Sequence, residues 1–136
     1  MERTKVQGLA WMLISGLGCA TAWAHHSFAI FDHSQTYTLN GTVLSFQWTN
    51  PHGYIDLDVE EGPAGIERFS IELTSINMLR RSGWRSSDVK QGDHVTAIVA
   101  PLLSGEQGGL LLELIMQDGR KLVPPVPAID SFERTP

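Results

Sequence analysis

Five histidines, His25, His26, His33, His52 and His94, are the side chains of this sequence best suited to holding an ion, and one stands at a special place. His25 follows Ala22-Trp23-Ala24, a triplet of the A-x-A form at which signal peptidase cuts. A histidine freed at a mature N-terminus presents its α-amine and its ring Nδ1 together, and these two nitrogens close a six-membered chelate ring. A third nitrogen from a distant imidazole completes a T-shaped set, the histidine brace. Planar nitrogen coordination suits Cu(II), which stands at the top of the divalent affinity series. The amine titrates at about 7.7 to 8.0, so a metal displaces its proton near neutral pH at modest cost.

The third nitrogen has four sources. His26 is adjacent, and in an extended segment its ring points away from that of His25. His33, in Phe-Asp-His-Ser, requires the start of the chain to fold back on itself. His52, in Trp-Thr-Asn-Pro-His, sits at a strand end stiffened by Pro51 and is the first choice, because its ring is held there at small entropic cost. His94, just after the Gly92-Asp93 turn, is the second. Asp32 or Glu72 is placed to add an oxygen ligand or to orient a ring from behind. Each position also has a plain structural reading: His52 as a turn residue, His94 as a strand residue, His33 as a solvated one, and Trp48 and Trp84 as core or barrel-mouth aromatics. In a rival reading without metal, Trp48, Asn50, Tyr54 and Trp84 line a surface for a peptide, glycan or partner protein.

The chain that must position these residues begins with a three-part export signal over residues 1–24: basic Arg3 and Lys5, an apolar run from Leu9 to Leu17, and the small-residue cut site. A competing cut before Cys19, in Gly-Leu-Gly-Cys, leads to a lipid-anchored form. The apolar run is shorter than the roughly 20 residues a membrane span needs, and no later segment matches it. The expected location is the periplasm or the medium. Removing the signal takes away Glu2, Arg3 and Lys5 and leaves the mature chain one unit more negative than the −5 of the full sequence. Such a balance opposes binding to nucleic acid. Cys19 is the single cysteine and leaves with the signal, so neither a disulfide nor a thiolate site is available. The absence of a Met or Cys cluster argues against a Cu(I) carrier or a blue-copper site. No Ser/His/Asp set or phosphate-binding glycine loop is recognisable, and the expectation leans away from an enzyme.

Residues 25–123 read as one β domain and residues 124–136 as a Pro-rich tail, extended and loosely held. In Tyr37 to Trp48 the apolar positions Tyr37, Leu39 and Val43 change parity to Leu44, Phe46 and Trp48, which implies a bulge or bend, with Gly41 there to permit it. Tyr54 to Glu60 alternates cleanly, with Ile55, Leu57 and Val59 inward and a solvated acidic row, Asp56, Asp58, Glu60 and Glu61, outward. A turn over residues 62–65 leads to a strand with Phe69, Ile71 and Leu73 on one face. Thr74 or Ser75 caps a short helix from Ile76 that ends by Gly83, with Met78 and Leu79 in the core. Strands over residues 94–102 and 110–117 follow. Five strands with one short helix after the third resemble the OB-fold, a Greek-key barrel; a small β-sandwich is the alternative, because spacing does not settle strand order.

The segments His25-His26-Ser27-Phe28, Gly41-Thr42-Val43, Trp48-Thr49-Asn50-Pro51-His52, Gly83-Trp84 and Gly92-Asp93-His94-Val95 resemble a family of small exported bacterial proteins catalogued as a domain of unknown function. The resemblance spans nearly the whole mature chain and implies export and a single β-rich domain, without a reaction. In its N-terminal histidine alone the chain is similar to lytic polysaccharide monooxygenases and to small periplasmic copper carriers. The expectation is a periplasmic protein that binds or delivers Cu(II) through His25 and His52, with His26 or His94 adjusting the site. Its expected partners are the metal ion and a periplasmic partner protein.

Overall fold

A computed structural model describes residues 28–60 and 65–126. After a 3-10 turn, Phe28–Ile30, come strands β1 (Tyr37–Gln47), β2 (Tyr54–Glu60) and β3 (Ile66–Glu72), helix α1 (Ile76–Arg81), and strands β4 (His94–Pro101), β5 (Gly108–Met116) and β6 (Lys121–Leu122). Among the described residues no helix is long and apolar enough to cross a membrane.

The sheet runs β3-β2-β1-β4-β5-β6, and β3 also pairs with β5, in parallel, through Ser70, Ile71 and Glu72. That second pairing closes five strands into an OB-like barrel and rules out the two open sheets of a sandwich. Inward residues are those of the alternating pattern: Ile55, Leu57, Ile71, Leu73, Val99, Leu111 and Leu114 fill one core, and Leu79 of α1 and Trp84 join it. A smaller cluster lies on the other face of the sheet, where Phe31 covers Ala100 and Leu110 and Phe28, Leu112 and Val126 pack against them.

The parity change in β1 is a bulge. Val43 pairs with Leu57 and Ser45 with Asp56, so Leu44 is the extra residue. Gly41, expected beside a bend, also meets a close approach. It lies between Val59 of β2 and Val95 of β4, and a Cβ there would collide with the Asp58 carbonyl and come within 3.0 Å of the Leu57 side chain. Its bare backbone lets β2 pass close by. Ser75 caps α1, accepting the Met78 N–H at 3.4 Å. Leu79 is fully buried, but Met78 is 38% exposed, a correction to its expected place in the core. In a six-residue helix only one face meets the barrel, and Ile76 and Leu79, three apart, occupy it. The start of the tail is also held more firmly than expected: Pro124 is buried and Val126 packs on the outer cluster.

A carboxylate-oriented histidine at the β1–β2 turn

The turn after β1 is stapled to the end of β3 through Gly53. Its carbonyl accepts the Leu73 N–H at 2.8 Å and its own N–H donates to the Thr74 carbonyl at 3.5 Å. Gly53 is itself buried; a Cβ would stand 3.3 Å from the Gln47 carbonyl and 3.4 Å from the Ile76 side chain. Only a residue without a side chain fits this approach without displacing a neighbour. The preceding peptide, Asn50-Pro51, is cis.

This staple sets His52, the residue before Gly53, against Glu72, the residue before Leu73. The ring Nδ1 of His52 meets the Glu72 carboxylate in a short ion-pair contact, with both side chains mostly buried. An ionised carboxylate only accepts, so the proton of this contact sits on Nδ1, and the neutral tautomer it selects is the one with its lone pair on Nε2. A carboxylate behind one ring nitrogen and a lone pair on the other is the arrangement of metal-binding histidines. Tyr54, paired with Glu72 in the β2–β3 register, hydrogen-bonds to the same carboxylate. Burial, and then the negative charge of Glu72, hold the Tyr54 hydroxyl above the usual tyrosine range.

Of the other positions singled out in the sequence, Trp48 is partly buried and packs edge-on against Phe46, with ring centroids 5.5 Å apart, and Asn50 is exposed. Tyr54 serves Glu72 besides any outward role. Trp84 is a core residue, 3% exposed, its indole N–H turned to the Val123 carbonyl at 3.4 Å, so of its two readings the core one describes it and it lines no outer surface. His94 is exposed, with Nδ1 3.0 Å from the Thr42 hydroxyl. Thr42 lies five residues before the Gln47–Tyr54 pair, about 15 Å along the strand. The fold thus does not bring His94 to His52. The ring Nε2 of His33 lies 2.8 Å from the Phe28 carbonyl. The Asp32 carboxylate is taken up locally by the Ser34 hydroxyl and backbone N–H and by the Gln35 amide, and the two Ser34 bonds hold it below the usual carboxylate range. Between the two acids offered for orienting a ring, Glu72 is therefore the one at His52.

In the acidic row, Asp56 accepts from Ser45 and Gln47, and Asp58 pairs with Arg68. Glu61, His25 and His26 lie outside the described residues, and among the described residues no group of three or more His, Cys, Asp and Glu side chains could hold a metal ion. Sequence reasoning missed Gly53; its signal was a glycine directly after a Pro-His turn, where close backbone approach is the usual reason for one.

No curated protein and no solved structure matches the chain. A family model described only as a family of unknown function matches residues 13–113, a span that holds His52, Gly53, Tyr54 and Glu72. The chain belongs to that family, DUF6152.

Proposed function

We propose that this is an exported metal-binding protein, cut after Ala24, that holds Cu(II) through the amine and ring of His25 and through Nε2 of His52. The observation that carries the reading is the Glu72 carboxylate behind His52, which selects the tautomer with a lone pair on Nε2 and aims the ring. The path of the chain supports it as well. Phe28 packs on the cluster containing Leu110, and Leu110 is the register partner of Glu72. Neighbouring strands lie about 4.8 Å apart, and three residues of extended chain reach at most about 10 Å. A tether of that length, starting at Phe28, is long enough for position 25 to reach His52.

Two nitrogens from His25 and one from His52 leave the ion a position for exchange, which suits binding and delivery. Tyr54 and Gly53 hold Glu72 and the turn in register. The acidic surface favours cation approach.

The test is a Cu(II) titration of correctly processed protein against two variants, His52→Ala and a form whose His25 α-amine is acetylated. Each is expected to weaken binding by at least about tenfold, since each removes a ligand the other cannot replace. Unchanged affinity in the acetylated form excludes the amine, and unchanged affinity in His52→Ala excludes the turn.

A further inference from the structure

β3 carries a second feature, at the end away from Glu72. It pairs with β2 along its whole length, from Ile66 to Glu72, but with β5 only through Ser70, Ile71 and Glu72. Ser70 donates its N–H to the Gln107 carbonyl at 3.3 Å. By the two-residue period of a strand, the N–H and carbonyl of Arg68 turn to the same side. There, among the described residues, they meet no backbone partner. A trough of about 520 Å³ runs between this half of β3 and the β4–β5 loop, with the start of β1 also lining it. Its charged lining residues are Glu67 and Glu106, and no lysine or arginine lines it. Arg68 points its guanidinium at Asp58 instead. Exposed apolar side chains stand at both ends of the neighbourhood, Ile66 on β3 and Leu103 on the loop, and Tyr37, about half exposed, lines the trough.

An open strand edge is a template for another strand. Strand addition takes its affinity from main-chain hydrogen bonds and its specificity from side chains on alternating sides. Two carboxylates with no facing cation select lysine or arginine in the incoming segment. A second copy of this chain would bring Glu67 and Glu106 of its own with one cation, Arg68, already paired with Asp58, and residues 127–136 carry two acids and one arginine, so neither brings net positive charge. We infer that the Ile66–Phe69 edge of β3 binds an extended, basic segment of a partner protein as an added strand, with Lys or Arg at Glu67 and Glu106 and apolar residues against Ile66, Tyr37 and Leu103.

Fluorescence anisotropy on the full processed chain tests this with a labelled probe of about eight alternating Lys and Val residues and its Glu–Val counterpart. The basic probe is expected to bind at least about tenfold more tightly, and Glu67→Lys with Glu106→Lys to abolish that preference. Methylating alternate amides of the probe needs no protein variant: one alternating set should abolish binding, and the other should leave it within about twofold, because only one set faces β3. Equal binding of both probes, no binding of the basic one, or indifference to either methylated set overturns the proposal. So does a dimer in light scattering that the probe dissociates, or a gain in probe affinity on deleting residues 127–136, since each assigns the edge to another occupant.

Discussion

His52 and His94 both follow a turn and both stand near a strand start, yet the fold treats them differently. His94 begins β4, exposed, against the neutral hydroxyl of Thr42. His52 lies on a turn tied to β3 by two backbone hydrogen bonds, with an acid behind its ring and a tyrosine on the same acid. A hydroxyl donates or accepts and so leaves the tautomer open, whereas a carboxylate accepts only and so selects it. The difference shows that the tautomer and aim of a histidine ring are set by its surroundings; residue type and turn position are shared by both.

The largest expected effect separates the two outright. His52→Ala should lower Cu(II) affinity of the processed protein by about a hundredfold, while His94→Ala should leave it within about twofold in the same calorimetric titration. A comparable loss in both would erase the contrast. One step further back, Glu72→Gln keeps the shape but removes the obligate acceptor, and should cost about tenfold in affinity; Thr42→Val, its counterpart behind His94, should cost nothing measurable.

The staple is tested by stability. Gly53→Ala must move the Gln47 carbonyl or the Ile76 side chain, and chemical denaturation should show a loss of about 1–3 kcal/mol, the cost of overpacking a closed site. A loss within experimental error would mean that the turn shifts freely and does not aim His52. The smallest effect belongs to Tyr54. Its folded pKa is raised, so its contribution to stability is complete below the ordinary tyrosine value of 10.0 and is lost as pH climbs through the higher folded value. In the metal-free protein, tyrosinate absorbance should show an ionisation step above the ordinary tyrosine range, and Tyr54→Phe should remove that step.

Much of the fold was legible along the chain. Alternation in Tyr54 to Glu60 placed Ile55, Leu57 and Val59 inside, and the parity change around Val43 and Leu44 marked the bulge, because side-chain direction in a strand has a period of two. Ser75 was readable as a cap because capping is local. Met78 was misplaced because a helix of six residues buries too narrow a stripe for both it and Leu79. Gly41 was read beside a bend, and its close passage by β2 was not legible; a glycine announces a backbone demand without saying which chain makes it. For the site, His52 and Glu72 were both named, but Glu72 stood level with Asp32, since sequence distance gives no sign of which acid a ring will meet.

By itself the amino-acid order determined the inside and outside of the first three strands, the helix start and the supply of nitrogen donors, all of which depend on neighbours within a few residues. Tertiary structure alone decided that β3 closes against β5, that Gly53 ties the Pro-His turn to Leu73, and that Glu72 therefore backs His52 while His94 stays apart. The reason is register: which residues face one another across strands is set by how the whole barrel closes, and a slip of one residue would turn Glu72 inward and leave the ring of His52 without its acceptor.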